Sequence, residues 1–149
     1  MPAVFSLRQS TFAVVLGGML LAVVACDQLP GSAADLAVGD CFNEPAATDD
    51  ITEVQRRPCA EAHDAEVFAV LTWDRDTYPI DLSLDSFIDE QCLPIFESFT
   101  GTAFDSQTDL TVGWFYPSRS SWDDGDREIT CYLVRPDGED LVGSRRVAP

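Results

Sequence analysis

Five cysteines are the residues of this sequence with the greatest capacity for chemistry, and their number is odd. Cys26 stands near the N-terminus, and the other four follow at positions 41, 59, 92 and 131. In an exported protein, an odd cysteine requires a role apart from the paired ones. The residues in front of Cys26 indicate what that role is.

The first 25 residues have the composition of an export signal. Arg8 is their only charged residue, and the run at 11–25 (TFAVVLGGMLLAVVA) has no charge at all. At about 1.5 Å per residue, this run reaches roughly 22 Å as a helix, short of the ~30 Å hydrocarbon core of a membrane. We therefore predict a signal peptide at 1–25, in preference to a short uncleaved anchor or a buried helix.

The residues Val23-Val24-Ala25-Cys26 that end this run resemble the bacterial lipobox. In lipoproteins the cysteine thiol receives diacylglycerol, the signal is cut before the cysteine, and the new terminus is commonly acylated with chains such as palmitate. The resemblance implies these modifications for Cys26, and two acyl chains are enough for lasting attachment. Residues 26–35 then form the lipidated cysteine and a short tether. The domain at 36–149 is expected at the extracytoplasmic face of the cell membrane, lipid-anchored.

The four remaining cysteines predict two disulfides, because an even number outside the cytoplasm typically forms bridges. Three pairings are possible. We favour Cys41–Cys59, across an antiparallel hairpin, and Cys92–Cys131, from a helix to a facing strand. A structural zinc site is the competing interpretation, but none of these cysteines has the close spacing of a zinc-binding pair. We predict no metal and no cofactor.

The hydrophobic pattern indicates an α+β domain. Apolar residues at spacings of three and four predict a helix from Leu84 to Phe99, with Pro94 kinking it and Gly101 ending it. Short β-branched and aromatic runs predict strands at 36–42, 51–59, 65–73, 110–116, 128–135 and 141–145. Strands and helices do not alternate as in a parallel fold. We therefore predict an antiparallel sheet with one Pro-kinked helical segment on one face.

His63, Asp64 and Glu66 place the only imidazole of the chain beside two carboxylates. Acid–base catalysis would need a hydrogen-bonded partner for the histidine and also a nucleophile or a metal. The sequence has no nucleophile motif and no second histidine. We therefore predict no enzymatic activity and no catalytic residue. The favoured role of His63 and Asp64 is structural, at the turn into the strand at 65–73, with ligand binding as the alternative.

Aromatic residues supply the other candidate binding group. Trp114, Tyr116 and Trp122 could grip a glycan or a peptide, although aromatic residues in strands more often belong to the core. Two acidic groups, at 74–81 and 123–128, are alternatives for calcium but lack EF-hand spacing. Acidic residues number 26 against nine basic ones, and the formal charge is -17. This excess excludes nucleic acid as a partner and indicates a solvated acidic surface.

Several segments together resemble the septum formation family of actinobacterial envelope proteins, which are often lipoproteins or single-span membrane proteins. They are Val38-Gly-Asp-Cys-Phe42, Pro58-Cys59, His63-Asp-Ala-Glu-Val-Phe68, Cys92, Phe99-Thr-Gly101, Trp122, Gly125-Asp-Arg127 and Cys131. The resemblance covers about 36–145 and implies a link to cell division, with no assigned reaction. The function we expect is therefore binding of another envelope component, with a small-ligand or glycan sensor as the alternative.

Overall fold

The structure, a computed structural model, describes residues 29–45 and 53–148. The predicted signal peptide at 1–25 and Cys26 lie outside them. No helix within the described residues is long and apolar enough to cross a membrane. The elements in chain order are β1 (Leu29–Ser32), β2 (Cys41–Asn43), β3 (Glu53–Arg57), β4 (Ala62–His63), β5 (Ala65–Thr72), α1 (Asp81–Phe87), a π-helical turn (Ile88–Cys92), α2 (Leu93–Thr100), β6 (Thr111–Phe115), α3 (Arg119–Asp123), β7 (Glu128–Val134) and β8 (Leu141–Val142). Short 3₁₀ turns lie at Ala33–Asp35 and Phe104–Ser106.

Six strands form one antiparallel sheet in the order β1-β3-β2-β5-β7-β6. The long central pair joins β5 to β7, with Ala65 opposite Val134 and Thr72 opposite Glu128. Because β5 is rich in apolar and β-branched residues, it suits the sheet interior. The predicted α+β class with an antiparallel sheet is confirmed.

The helical segment packs on one face of the sheet, as predicted. Phe68 on β5 meets Phe96 on α2 edge to face, with ring centroids 5.6 Å apart. The core on this side consists of Phe68 and Ala69 of β5, alternate residues of β7, and the apolar stripe of the helix, including Phe87 and Phe99. The helix ends at Gly101, whose φ of 72° is the left-handed conformation typical of a helix C-terminus.

A second, smaller core fills the opposite face of the sheet. Phe42 meets Tyr132 edge to face at 5.3 Å between ring centroids, and Phe115 lies 4.8 Å from the same tyrosine. Leu36 and Ala33, which precede β2, cover this face. The Tyr132 ring lies against Gly113, where an added Cβ would stand 2.4 Å from a ring carbon. Glycine at this position of β6 is therefore required by packing.

The predicted kink in the helix takes the form of the π-helical turn. The amide of Leu93 bonds to the carbonyl of Ile88, five residues back. Pro94 follows at the start of α2, where its missing N–H interrupts no regular helical bond. The turn keeps Ile88, Cys92 and Phe96 buried on the sheet side. The helix thus crosses a proline without losing its apolar face.

Both predicted disulfides are present. Cys41 on β2 bonds to Cys59 just beyond β3, with Cα atoms 5.2 Å apart. Cys92 in the π-helical turn bonds to Cys131 on β7, with Cα atoms 6.4 Å apart. The first bond closes the β2–β3 hairpin, and the second joins the helix to the middle of the sheet.

Three expectations need correction. The part of the 26–35 tether that the structure describes is folded, because Leu29–Ser32 pairs with β3 as a sheet edge. The first strand predicted at 36–42 begins only at Cys41, after a turn at 38–39. The last strand is confined to Leu141–Val142 and pairs with β4 in a separate two-stranded ribbon. It is therefore not an edge of the main sheet.

Removing the second disulfide should cost more stability than removing the first. The Cys92–Cys131 bond closes 39 residues and the Cys41–Cys59 bond 18. Chain entropy then gives about 4 and about 3 kcal/mol respectively. Denaturant unfolding of the two double-alanine variants measures both losses. A smaller loss for Cys92→Ala/Cys131→Ala would contradict the chain-entropy account.

Candidate functional site

Two loops meet at the end of the sheet where β5 finishes and β7 begins. The crossover at 73–80 leaves β5, and residues 116–127 connect β6 to β7. The amide of Trp73 donates to the carbonyl of Arg127 at 2.7 Å and ties one loop to the other. The Trp73 indole also donates to the carbonyl of Thr77 at 2.8 Å. This end of the molecule is therefore a fixed platform.

Five side chains on this platform form what we call the aromatic–arginine cluster: Tyr78, Tyr116, Arg119, Trp122 and Arg127. The Tyr78 ring is 5.5 Å from the Trp122 ring and 6.4 Å from the Tyr116 ring, between centroids. The guanidinium of Arg119 lies 3.9 Å from the Tyr78 centroid, and that of Arg127 lies 3.4 Å from the Trp122 centroid. Both distances are within cation–π range.

Hydrogen bonds to the backbone hold the cluster in shape. The Tyr78 hydroxyl donates to the carbonyl of Pro117 at 2.7 Å. Arg127 donates to the carbonyl of Trp122 at 2.8 Å while it covers that ring. The hydroxyl of Ser118 accepts the amide of Ser121 at 3.1 Å and caps α3, the short helix that carries Arg119 and Trp122. The side chains are thus positioned before any partner arrives.

The cluster is partly open to solvent. Tyr116 is 50% exposed and Arg119 is exposed, whereas Tyr78 and Trp122 are half-buried. Ile80 and Leu82, close to Tyr78 in sequence, are 61% and 84% exposed. Tyrosine, tryptophan and arginine are the residue types enriched where proteins bind one another. The arrangement suits recognition of another molecule.

The structure brings together two of the three predicted aromatic binding residues. Tyr116 and Trp122 both contact Tyr78, but Trp114 packs toward the helix-side core. The other cluster members were not predicted as binding residues: Tyr78 stands in a polar crossover, Arg119 begins α3 and Arg127 precedes β7. An aromatic residue in an otherwise polar crossover is the one signal that could have drawn attention to Tyr78.

His63 is completely buried in the β4–β8 ribbon. Its Nδ1 lies 2.8 Å from the carbonyl of Glu61 and therefore carries the proton, because a carbonyl only accepts. Its Nε2 is buried with no hydrogen-bond partner among the described residues. Asp64 accepts the amide of Glu44 at 2.8 Å. Within the described chain, no hydrogen bond or ion pair joins His63, Asp64 and Glu66 to one another.

Glu66 instead holds the end of the chain. Its carboxylate, which is completely buried, accepts the hydroxyl of Ser144 and, at 2.6 Å, the amide of Arg145. Two further amides fix the segment 141–147, which we call the C-terminal strap. Gly143 donates to Cys59 at 2.7 Å, and Val147 donates to Phe99 at 2.8 Å. The strap therefore joins the first disulfide, the buried carboxylate and the end of α2.

Neither acidic group forms a metal site in the described residues. The one group of three potential ligands there is Cys41, Cys59 and Glu66, and its two sulfurs are bonded to each other. In the 123–128 group, Asp126 accepts the hydroxyl of Ser121 at 2.9 Å and the amide of Glu128 at 2.9 Å. These bonds shape a turn, which is the ordinary role of aspartate there.

A polar groove of about 350 Å³ adjoins the platform on its helix side. It lies between the end of β5 and the π-helical turn, and Asp74, Arg75, Glu90 and Gln91 contribute its polar groups. Phe87 supplies an apolar wall. These groups can hydrogen-bond a small polar ligand.

Burial raises the pKa of Glu128, which starts β7 below the cluster, and outweighs the hydrogen bond from Thr130 that lowers it. The nearby carboxylate of Asp126 raises the pKa further. Away from the platform, burial raises the pKa of Tyr132, and Arg135 lowers that of Asp137 to about 2. Among these groups only Glu128 adjoins the cluster.

A family model for septum formation matches residues 38–148. The chain belongs to the septum formation family. The expected family is thereby confirmed. The match spans both disulfides, the aromatic–arginine cluster and the C-terminal strap, so each is part of the septum formation domain. No curated protein and no solved structure matches the chain.

Replacing Glu66 with alanine should release the C-terminal strap. The change removes the two hydrogen bonds that Glu66 accepts from Ser144 and Arg145, and it should lower the free energy of unfolding by about 2–3 kcal/mol. Hydrogen exchange of the strap should rise at the Arg145 amide, because Glu66 is its acceptor. Glu97→Ala, at an exposed helix position, is the matched control and should change stability by less than about 0.5 kcal/mol. Unchanged exchange in the strap would contradict the assignment.

Replacing Glu128 with glutamine should stabilise the domain at neutral pH. Because the folded-state pKa of Glu128 is raised, protonation favours folding, and this contribution is lost as pH rises through the folded pKa. Glutamine mimics the protonated form and can still accept from Thr130. The melting temperature of Glu128→Gln should exceed that of the parent at pH 7, and the difference should vanish below about 4.5, the ordinary pKa. A constant difference at all pH values would contradict this.

Proposed function

We propose that this chain is a lipid-anchored envelope protein that binds another envelope protein, engaged in division or wall synthesis, through the aromatic–arginine cluster. The domain catalyses no reaction of its own. Membership of the septum formation family supports the link to septum formation. Four further considerations support the finer proposal.

The lipobox at Cys26 supports anchoring to the outer face of the membrane. Strand β1 begins at Leu29, three residues after Cys26. At about 3.3–3.6 Å per extended residue, the lipid and the sheet are separated by roughly 10 Å. Such a domain stays at the membrane surface and meets partners that are themselves membrane-bound.

The observation that carries the binding role is the cluster itself. Backbone hydrogen bonds hold Tyr78 and Arg127, and ring and cation–π contacts join the other three side chains to them, while Tyr116 and Arg119 face solvent. A side chain already ordered before binding loses little conformational entropy on contact. An ordered group of tyrosine, tryptophan and arginine is therefore well suited to be a binding hot spot.

Two observations support the absence of catalysis. His63 is buried and turned to the carbonyl of Glu61, while Glu66 is engaged by the C-terminal strap. The four cysteines of the domain are joined in disulfides and are not nucleophiles.

The polar groove beside the platform favours the second candidate, a sensor for a small ligand or glycan. Planar carboxylate, guanidinium and amide groups around an aromatic wall are suited to hydroxyl groups of a sugar. This candidate places the contact on Glu90 and Gln91, away from Tyr116. The two candidates therefore differ in the residues on which binding depends.

Replacing Tyr116 with alanine should weaken partner binding without unfolding the domain. A hot-spot truncation costs about 2 kcal/mol, or roughly 30-fold in affinity. The tagged full-length protein is purified from detergent-solubilised cells, and the proteins bound to it are quantified by mass spectrometry. Val142→Ala, which changes an exposed residue of β8, is the matched control and should retain its partners.

If Tyr116→Ala and Val142→Ala recover the same amount of partner, the cluster is not part of the interface. Retained protein partners in Tyr116→Ala, together with loss of sugar binding by Glu90→Gln in a calorimetric titration, would favour the sensor candidate. Melting curves of every variant separate loss of contact from loss of fold. Cell fractionation of Cys26→Ala tests the anchor independently: this variant should leave the membrane, and a variant that stays there unprocessed, as the parent does, would contradict lipidation.

A further inference from the structure

Strand β6 is an open edge of the sheet. It pairs with β7 on one side, and no described strand pairs with its other side. No turn, loop or side chain in the described parts of the chain hydrogen-bonds to the backbone of Thr111–Phe115. An edge strand leaves every second pair of N–H and C=O groups pointing outward. This edge therefore presents a row of available donors and acceptors.

The edge also lacks the features that normally prevent pairing. Residues 110–116 (LTVGWFY) contain no charge and no proline, and they are β-branched or aromatic at most positions. Natural sheets usually protect an edge with charged residues, proline or a bulge. The opposite edge shows such protection, because β1 contains Pro30. The contrast indicates that the β6 edge is kept open for a strand.

The charge of the domain indicates which kind of molecule supplies the strand that pairs with β6. A second copy would bring together two chains of formal charge -17 and meet strong repulsion. Asp105 and Asp109 stand before β6, whereas Arg119, exposed in the aromatic–arginine cluster, is the first charged residue after it. The acidic side complements a segment that carries lysine or arginine at the end that lies beside Thr111.

We propose that β6 binds an extended segment of the envelope partner, with lysine or arginine at the end beside Thr111, as a seventh strand of the sheet. The inference rests on the proposed function and defines its mode of contact. Tyr116 follows β6 directly, so a strand paired with β6 runs on into the aromatic–arginine cluster. Main-chain bonds then supply affinity, and the cluster selects the side chains at one end, as in other cases of strand addition.

Site-specific photo-crosslinking in cells tests the register of this pairing. A benzophenone amino acid is placed in the full-length lipoprotein at Thr111, at Tyr116 or, as control, at Glu139 in the exposed turn after β7. Adducts from Thr111 and Tyr116 should fall on one segment of one partner, about five residues apart, because paired strands advance together. Glu139 should give no adduct on that segment.

Two proline variants measure how much the backbone contributes. The N–H groups of an edge strand point alternately outward and toward the neighbouring strand. One of the two variants, Thr111→Pro or Val112→Pro, therefore removes an outward donor and leaves the β6–β7 bonds intact. The variant that keeps its melting temperature should reduce the cross-link yield at Tyr116 by about tenfold, through lost main-chain bonds. An unchanged yield in that folded variant overturns the proposal.

The outcomes separate this proposal from the function on which it rests. Adducts from Tyr116 with none from Thr111 leave partner binding intact and overturn strand addition. Adducts from Thr111 and Tyr116 on partner segments far apart in sequence also overturn strand addition. Adducts on a second copy of this chain overturn it as well. Absence of adducts at both positions contradicts the proposed function as well. If both proline variants unfold, the spacing between the adducts from Thr111 and Tyr116 tests strand addition.

Discussion

The packing of the kinked helix onto β5 and β7 is the constraint on which the rest of the structure depends. Pro94 cannot donate a helical hydrogen bond, and the π-helical turn before it accommodates this loss while it keeps Cys92 on the sheet side. The bond from Cys92 to Cys131 then fixes the helix to β7. Because β7 continues from the 116–127 loop and pairs with β6, the same bond steadies the strands that carry the aromatic–arginine cluster.

Sequence predicted those features whose cause lies within a short stretch of chain. The helical stripe, its interruption at Pro94 and its end at Gly101 follow from spacing and from two residues with special backbones. Both disulfides followed from the even number of cysteines and the elements on which they lie. The strongest strand, β5, is apolar along most of its length. In each case local pattern and final packing agree.

The remaining features depend on contacts between distant residues, which periodicity does not reveal. Leu29–Ser32 has the proline and glycine of a loop and becomes a strand only by pairing with β3. The β4–β8 ribbon has two residues on each side, too few for any alternation. Tyr78 joins the candidate site through the carbonyl of Pro117, 39 positions away. Glu66 sits in an apolar strand because the strap brings two donors to it.

The two edges of the sheet differ in chemistry, and in the proposed function this difference separates attachment from recognition. The proposed anchor precedes β1 by three residues, and five strand spacings of about 4.8 Å place β6 about 24 Å away across the sheet. The proposed partner strand at β6 and the proposed lipid at Cys26 would therefore not compete for one surface. The formal charge of -17 has a role in the same arrangement. An uncharged open edge invites pairing between copies, and the like charge of the domains opposes it at every approach. A proline or a bulge in β6 would exclude other copies but would also exclude the partner. The like charge opposes only the other copies, so the edge stays available for a partner strand.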